Sequence, residues 1–396
     1  MKQNVLIVHN YYQFSGGEGI VVENDARLLR EHGHTVFLYT RANDELKTYG
    51  IFRKLMLPFT TVFSWKTYRE VRRMIREKQI ELVHVHNTVP LISPSVYYAA
   101  WAEGVPVVQT VHNFRFLCPN GMFFRDGKIC EECVQHSLWR CVRHGCYRGS
   151  RVQSLVLANA IWLHRLMGTY RRIEALICLT EFNRQKLAVK LPAQRIYVKP
   201  NGMSAVDTPD VPLEERKGYC FVGRLDLEKG VMTMLEAFCR IPEETLTIAG
   251  IGPAEEQMQT YLQTHKMTNV RMLGQVSHQQ ACRLMAESKA MLLPTLLYEG
   301  MPMTILESCR AGTPVIGSDS GNVGQILRDC GCGSTFTTGS ADALQNAVAE
   351  LTDAQWENLH AKALQTARQW PDDAQNYQSL VQIYARAERQ KREKRA

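Results

Sequence analysis

The chain has 396 residues, of which 45% are hydrophobic and 22% are charged. This composition excludes an intrinsically disordered chain, which would combine few apolar residues with a high net charge. Because domains commonly hold about 100–200 residues, the length predicts two of them. No apolar run approaches the roughly 18 residues of a membrane-spanning helix, and the stretch Val5–Val8 is too short for a signal-peptide core. We therefore expect a cytoplasmic protein.

Charge is divided unevenly between the two halves of the chain. Of the 47 Lys and Arg residues, 28 lie in residues 1–200, together with 15 of the 39 Asp and Glu residues. The second half therefore holds 19 basic and 24 acidic residues. A basic half suits an anionic partner, namely nucleic acid, an anionic membrane or a phosphorylated substrate, and charge alone does not choose among them.

Short β-branched and apolar runs alternate with helical segments, which predicts an α/β protein with parallel sheets. In the first half the pattern predicts strands at residues 5–9, 35–39, 82–86, 107–111, 175–179 and 195–199. In the second half it predicts strands at residues 218–222, 245–249, 270–273, 290–293 and 314–317. Helices are predicted at residues 19–32, 65–78, 304–311 and 372–392.

The alternation restarts after Pro200-Asn201-Gly202, so residues 201–217 are predicted to link two domains. We assign residues 1–200 to an N-terminal domain and residues 201–371 to a C-terminal domain. Each is predicted to be a doubly wound sheet, and the two are expected to face each other across a cleft. Such sheets bind ligands beyond the carboxyl ends of their strands, so functional residues are expected in the loops that follow strands.

Two of these loops contain groups suited to phosphate. The loop at residues 9–19 contains Gly16-Gly17, which allows the backbone to approach a ligand closely but fits a simple turn equally well. In the second half, Arg224 and Lys229 place a guanidinium and an ammonium five residues apart after a strand. This pair suits a diphosphate, and two solvated surface cations would produce the same pattern.

A third loop carries two carboxylates, Glu299 and Glu307, separated by seven residues. Gly300 and Pro302 shape the turn between them and leave free amides near the start of the following helix. Both carboxylates can accept hydrogen bonds from pairs of sugar hydroxyls. The alternative is one acid favoured by the helix dipole and one ordinary surface glutamate.

Five of the twelve cysteines lie within residues 118–146. One Cys-x2-Cys pair with neighbouring cysteines permits a tetrahedral zinc site, although the spacing is irregular. The candidate ligands are Cys118, Cys130, Cys133 and Cys141, with Cys146 beyond them. Reduced or redox-active thiols and disulfides are the alternatives.

Two basic amphipathic stretches, residues 53–78 and 152–177, interleave Arg and Lys with aromatic and aliphatic residues. Such stretches suit an anionic lipid surface. Helices that pack on a core and present a solvated basic face fit each stretch equally well. Together with the basic N-terminal half, the two stretches favour peripheral contact with an anionic membrane.

The combined motifs resemble those of the retaining glycosyltransferase family four, whose GT-B architecture has two facing Rossmann-like domains. The resemblance is carried, in family order, by Gly16-Gly17-Glu18, Val222-Gly223-Arg224, Glu228-Lys229-Gly230, Ala249-Gly250-Ile251-Gly252-Pro253 and Glu299-x7-Glu307. These motifs span most of the chain. Ile251 departs from the family pattern, in which many members have an acidic or polar residue at that position.

The resemblance implies a role for each matching residue. It implies that Arg224 and Lys229 stabilise the diphosphate of a nucleotide-sugar donor, while Glu299 holds the donor sugar. His112, which follows a strand, matches a family histidine near the reacting carbon. The implied donor-binding residues are Gly17, Gly250, Gly252, Val276, Gly300, Met301, Pro302, Met303 and Glu307. The chain has no Asp-x-Asp pair, and we expect no catalytic metal.

The implied function is the transfer of a sugar, with retention, to a glycan or lipid-diphosphate-linked acceptor in bacterial surface polysaccharide assembly. The expected location is the inner face of the plasma membrane, and the terminal helix, residues 372–396, is expected to pack back on the N-terminal domain. One alternative is a sugar-nucleotide 2-epimerase of the same fold, which needs no acceptor. Another is a non-catalytic nucleic-acid-binding protein, but the sequence has neither a recognition-helix motif nor an aromatic platform, so no nucleic-acid partner is expected.

Overall fold

The computed structural model describes residues 2–12, 17–202 and 208–394. The strands, in chain order, are β1 (Asn4–Tyr11), β2 (Thr35–Ala42), β3 (Leu82–Asn87), β4 (Val107–Val111), β5 (Phe124–Arg125), β6 (Lys128–Ile129), β7 (Ala175–Cys178), β8 (Ile196–Val198), β9 (Tyr219–Val222), β10 (Leu246–Ala249), β11 (Val270–Gly274), β12 (Ala290–Leu293), β13 (Val315–Ser318) and β14 (Gly333–Phe336). The helices are α1 (Gly17–Glu31), α2 (Ile51–Val62), α3 (Trp65–Glu77), α4 (Ser95–Ala102), α5 (Glu132–Gln135), α6 (Trp139–His144), α7 (Arg151–Leu166), α8 (Thr169–Arg172), α9 (Glu181–Ala188), α10 (Val231–Cys239), α11 (Glu255–Thr264), α12 (His278–Glu287), α13 (Met303–Arg310), α14 (Gly321–Cys330), α15 (Ala341–Ala349), α16 (Asp353–Gln369) and α17 (Asp373–Glu393). The chain forms two compact units, and each contains a parallel sheet.

Unit 1 comprises residues 1–122, 131–201 and 373–396. Its six-stranded sheet has the order β2-β1-β3-β4-β7-β8, with every neighbouring pair parallel. Val5 and Ile7 of β1 are fully buried and share a core with Leu380 and Tyr384 of α17. The terminal helix therefore covers a face of this sheet, as a parallel sheet requires on both sides.

Unit 2 comprises residues 123–130 and 202–372. Its six-stranded parallel sheet has the order β11-β10-β9-β12-β13-β14. The hairpin β5–β6 belongs to this unit, whereas the sequence predicts the whole of residues 1–200 in the N-terminal domain. The physical reason is Phe123, which is fully buried with its ring centroid 6.2 Å from that of Tyr298.

The strand order of each sheet defines one switch point. On one side of this point successive strands are added in one direction across the sheet, and on the other side they are added in the opposite direction. In unit 2 this point lies between β9 and β12, which are adjacent in the sheet. In unit 1 it lies between β1 and β3. Ligands of open α/β sheets bind beyond the carboxyl ends of strands at such points.

The N-terminal ends of helices show why the chain turns where it does. The hydroxyl of Ser150 accepts a hydrogen bond from the amide of Gln153 at the start of α7, and Thr180 caps α9 in the same way. Side-chain oxygens at these positions satisfy amides that the helix leaves unpaired. Across the described residues, no helix is both long enough and apolar enough to span a bilayer.

Candidate active site

The loop after β9 carries the first predicted cation. The guanidinium of Arg224 donates hydrogen bonds to the carboxylate of Asp226, which is nearly buried. Roughly half of the Arg224 side chain stays exposed. Since a guanidinium has five N–H donors, this ion pair orients the group and, as far as the described residues go, leaves donors for an anion.

The second predicted cation, Lys229, ends a short 3-10 turn, Leu227–Lys229, that is fixed by the loop after β12. The amide of Leu296 donates to the carbonyl of Glu228 at 2.9 Å. Gly230 follows with φ +71°, and a Cβ there would lie 1.8 Å from the carbonyl oxygen of Pro294. Only glycine allows this close approach, which sets the position of the lysine.

Lys229 and Glu299 form an ion pair at the switch point of unit 2. The Lys229 ammonium lies 2.7 Å from Oε1 of Glu299, although the two residues are 70 positions apart in sequence. The side chains are 28% and 11% exposed, respectively. Two residues for which the sequence predicts related roles are therefore in direct contact.

Asn322 fixes the turn that carries Glu299. This asparagine lies in the first turn of α14 and is fully buried. Its side-chain amide donates to the backbone carbonyls of Glu299 and Gly300. Sequence analysis missed Asn322 because it lies outside the motifs, on an element that returns to the site only in the folded chain.

The second carboxylate, Glu307, lies on α13 and contacts His278. Oε1 of Glu307 lies 3.1 Å from Nε2 of His278, the first residue of α12. The histidine side chain is 53% exposed and the glutamate side chain 23% exposed. His278 was also missed, since a single histidine in a polar loop carries no distinguishing pattern.

Gly250 and Gly252 bring the backbone after β10 against the loop after β9. Gly250 has φ +150°, and a Cβ there would lie 1.8 Å from the carbonyl oxygen of Gly223. At Gly252 a Cβ would lie 2.4 Å from the carbonyl oxygen of Leu225. Ile251 between them is 46% exposed. The departure from the family pattern at Ile251 therefore affects the exposed surface of this turn and leaves its backbone path intact.

The remaining donor-side predictions lie in two further loops of unit 2. Gly300–Met303 leads into α13, with Met301 and Pro302 buried and Pro302 at the N-cap position. Val276 is half-buried in the loop between β11 and α12. All the predicted residues of the C-terminal half thus follow the carboxyl ends of β9, β10, β11 and β12.

Unit 1 carries the predicted residues Gly17 and His112. Gly17 is exposed at the start of α1, and a Cβ there would meet no atom of the described residues within 4 Å. Gly16 lies outside the described residues. The next residue, Glu18, accepts a hydrogen bond from the side-chain amide of Asn113 at 3.0 Å. Burial raises the pKa of the Glu18 carboxyl.

His112 follows β4 and is 9% exposed. Its Nε2 lies 2.9 Å from Nδ1 of His86, so one of the two rings donates a hydrogen bond to the other. Burial lowers the pKa of His112 to about 4, which keeps the imidazole neutral at pH 7. Both histidines line a cavity of about 60 Å³ within unit 1.

The predicted zinc ligands are only partly brought together. The thiol of Cys133 makes hydrogen bonds with those of Cys118 and Cys141, and all three residues are buried. The bond with Cys118 lowers the pKa of the Cys133 thiol, whereas the bond with Cys141 and burial raise it. The net effect is a pKa raised to about 12. Cys130 lies next to β6 and is half-buried. All twelve cysteines are free thiols.

Among the described residues, only Asp25, His84 and His86 hold three potential metal-binding atoms within 4.8 Å of one another. This set is poorly arranged for a cation. The ammonium of Lys199 lies 3.5 Å from Asp25, and both ring nitrogens of His84 already contact hydroxyls. The positive charge that a metal would supply is therefore provided by a lysine.

Comparison with known proteins identifies the class to which this fold and site belong. Residues 15–205 match the family described as Glycosyltransferase Family 4, and residues 208–370 match Glycosyl transferases group 1. The chain belongs to glycosyltransferase family 4. This confirms the family and the fold class predicted from the sequence, α/β with the GT-B architecture.

Particular relatives are distant. The chain is 26% identical over 283 residues to glycogen synthase of Mycobacterium tuberculosis, a match that covers 69% of this chain and 60% of that protein. It is 24% identical over 358 residues to phosphatidyl-myo-inositol mannosyltransferase of Mycolicibacterium smegmatis, covering 85% and 81% of the two chains. The structure of Anabaena HepE in complex with UDP-glucose aligns with a TM-score of 0.67 at 16% identity, covering 97% of this chain and 99% of that one.

Proposed function

We propose that the protein is a retaining hexosyltransferase that moves a sugar from a nucleotide-sugar donor to a glycan or lipid-linked glycan. The observation that carries this proposal is the Lys229–Glu299 pair at the switch point of unit 2. Family membership and the likeness to a fold that binds UDP-glucose support a nucleotide-sugar donor. We further propose that the product enters bacterial surface polysaccharide.

The donor diphosphate is proposed to bind Arg224 and Lys229. Lys229 has three N–H donors and spends one on Glu299, so two remain for phosphate oxygens. Arg224 spends donors on Asp226 and keeps the rest. In the transition state the departing diphosphate gains negative charge, and cations that are already oriented stabilise it without reorganisation.

The two carboxylates are proposed to hold hydroxyls of the donor. Glu299 has one oxygen occupied by Lys229, which leaves the other to accept from a hydroxyl of the transferred sugar. Glu307 is proposed to accept from the ribose hydroxyls, with His278 orienting it. The backbone of Gly300–Met303, which leads into α13, is proposed to lie against the donor sugar and its phosphate.

Retention follows if the acceptor attacks the face from which the diphosphate leaves. The bond between the anomeric carbon and the phosphate oxygen breaks, and a bond to the acceptor oxygen forms. The acceptor proton passes to the departing phosphate oxygen. Glu299 is not assigned as a nucleophile, because the lysine contact neutralises it. We propose that this reaction needs no catalytic divalent metal, so EDTA should leave turnover unchanged.

The acceptor is proposed to be presented at an anionic membrane by an apolar face of unit 1. The face is formed by α2 and α7, which pack against each other. Its exposed apolar residues are Ile51, Phe52, Leu55, Phe59, Val152, Leu155, Trp162 and Leu166. Exposed Arg53 and Lys54 on α2 supply positive charge for anionic headgroups. The proposed location is therefore the inner face of the plasma membrane.

Flotation with anionic liposomes at low salt tests this face. Wild type should float with the vesicles, and the double variant Phe52→Glu/Phe59→Glu should not. Val189→Glu, at an exposed apolar residue that follows α9, is the matched control and should still float. Absence of wild-type binding would remove the membrane proposal and leave the transferase proposal intact.

A structural zinc ion on Cys118, Cys133 and Cys141 is a separate proposal. Their thiols are already in contact through Cys133, but the three sulfur atoms would have to move closer together to bind one ion. Elemental analysis of purified protein should find close to one equivalent of zinc. Less than about a tenth of an equivalent would refute the proposal.

The donor site is tested by thermal unfolding with UDP, GDP, ADP and CMP. A ligand at 100 times its dissociation constant stabilises the folded state by about 2.7 kcal/mol, which gives a measurable shift in Tm. One nucleoside diphosphate should raise Tm in wild type and lose its effect in Lys229→Met. A lack of shift with all four would contradict a preformed donor site.

A further inference from the structure

A row of buried polar side chains lies behind His112. Nε2 of His112 contacts Nδ1 of His86 at 2.9 Å, and Nε2 of His86 faces Oδ2 of Asp25 at 3.9 Å. Oδ1 of Asp25 lies 3.5 Å from the ammonium of Lys199. All four residues belong to unit 1, and Asp25, His86 and Lys199 are at most 4% exposed.

A bulge in the sheet places His86 in this row of side chains. In the pairing of β1 with β3, Val8 lies opposite Val85 but His9 lies opposite Asn87, so His86 is the extra residue. Bulges redirect side chains and are common beside functional sites. Here the bulge lies at the switch point of the unit 1 sheet, and it brings the His86 ring between Asp25 and His112.

The charge of Asp25 decides which nitrogen of each ring carries the proton. Nε2 of His86 is buried and makes no hydrogen bond, and Oδ2 of the Asp25 carboxylate faces it at 3.9 Å, while the Lys199 ammonium pairs with the other oxygen of that carboxylate. A lone pair facing that carboxylate is repelled, whereas an N–H facing it is attracted. The proton of His86 therefore belongs on Nε2. Nδ1 of His86 is then a bare acceptor, and His112 must donate to it from Nε2.

This arrangement fixes the free side of His112. With the proton on Nε2, its Nδ1 carries a lone pair, and within the described part of the chain that nitrogen makes no hydrogen bond. Burial lowers the pKa of both imidazoles, so neither carries a second proton at pH 7. His112 thus presents an acceptor, and the opposite tautomer would present a donor.

We propose that Asp25 and His86 are positioning residues that hold His112 in the tautomer whose Nδ1 accepts a hydrogen bond from a hydroxyl of the sugar substrate. The inference rests on the proposed function and on the resemblance, which matches His112 to a family histidine near the reacting carbon. It predicts a specificity as well. A sugar substrate in which that hydroxyl is removed or methylated loses the contact, because an ether or a C–H has no proton to give.

Nuclear magnetic resonance of the full chain, labelled with ¹⁵N in histidine, reads the tautomers without any substrate. Wild type should show His112 protonated at Nε2 and bare at Nδ1, with the His112→Gln variant identifying its signals. In Asp25→Asn the preference should weaken, because an amide can either donate to Nε2 of His86 or accept from it. Protonation of wild-type His112 at Nδ1 would overturn the proposal, whatever the protein transfers.

Asp25→Asn also leaves Lys199 buried without its carboxylate, so a second variant separates charge balance from tautomer control. Asp25→Asn/Lys199→Met removes both charges and keeps similar side-chain volumes. Its kcat should stay at least about tenfold below wild type, the effect expected for one lost or reversed hydrogen bond in the transition state. Recovery of wild-type kcat and tautomer in this double variant would show that Asp25 only balances charge, and would refute the proposal.

His164→Asn is the matched control. His164 lies on α7 of the same unit and is equally buried, but its ring contacts the hydroxyl of Thr169 and the carbonyl of Val62 instead of His86 or His112. This variant should keep the wild-type His112 tautomer and a kcat within about threefold. Turnover is measured with UDP-glucose, GDP-mannose or ADP-glucose, whichever wild type uses. If none is used, the proposed function fails, while the resonance experiment still decides the inference about Asp25.

Discussion

Replacement of Lys229 by methionine is the sharpest test of the donor site. Methionine keeps most of the length and apolar character of the side chain and removes the ammonium. Among the described residues that ammonium pairs with Oε1 of Glu299 at 2.7 Å, and the lysine side chain is 28% exposed. The substitution therefore removes charge stabilisation of the diphosphate and also leaves a largely buried carboxylate without its partner.

The magnitude follows from these two contributions. A hydrogen bond to a charged group contributes about 1.5–3 kcal/mol, or about one to two orders of magnitude in rate. Loss of one oriented stabiliser of developing charge commonly costs about 10²–10³ in kcat. Because solvent reaches only part of the side chain, screening does not remove the effect. We expect Lys229→Met to lower turnover by at least about a hundredfold.

The assay is release of the nucleoside diphosphate at saturating donor, with and without acceptor. Lys266→Met, at an exposed lysine of the same unit, is the control and should turn over normally. The double variant Lys229→Met/Glu299→Gln removes the unpaired carboxylate. If Lys229 served only to neutralise Glu299, the double variant would recover turnover, and the reasoning about the diphosphate would be refuted. Near-normal turnover in Lys229→Met alone would refute it as well.

Three further outcomes are expected. Gly250→Ala should lower the free energy of unfolding by more than about 1 kcal/mol, because the new Cβ would lie 1.8 Å from a backbone carbonyl oxygen; an unchanged midpoint of urea unfolding would contradict the described turn. His278→Ala should raise the donor KM by no more than about fivefold, since half of the histidine side chain is exposed and solvent screens the pair; a loss of kcat would assign it a larger role. Burial lowers the pKa of His9, His84 and His112 to about 4, 3 and 4, respectively. Below about pH 6.5 the unfolded chain therefore binds more protons than the folded chain, so Tm should be steady above that pH and fall towards pH 4. A flat profile of Tm against pH would contradict the burial of these histidines.

The strands were predictable because parallel strands covered on both faces form continuous apolar runs. Every strand proposed from the sequence is present with ends within three residues, and β4 and β12 have the predicted bounds. The edge strand β14 was missed, since Gly-Ser-Thr-Phe has a single large apolar residue. The hairpin β5–β6 was missed because each of its strands has two residues.

The site was predictable only where chemistry and spacing are local. Arg224 and Lys229 lie five residues apart in the sequence, and the resemblance to a known family was enough to select them. The contact between Lys229 and Glu299 joins residues 70 positions apart, and no local pattern encodes it. Asn322 and the proposed function of Asp25 depend on tertiary contacts of ordinary residues, which only the folded chain brings together.

The course of the chain between the two units decides how the protein can be dissected. The backbone crosses from one unit to the other at residues 122–123, 130–131, 201–202 and 372–373. A fragment that stops at residue 201 keeps the first sheet but lacks α17, so the core positions filled by Leu380 and Tyr384 become open apolar surface. It also carries Phe123 without Tyr298. A stable half-molecule for binding studies would have to carry residues 373–394 on a linker and replace the hairpin at 123–130, whereas simple truncation at the midpoint should yield an aggregating product.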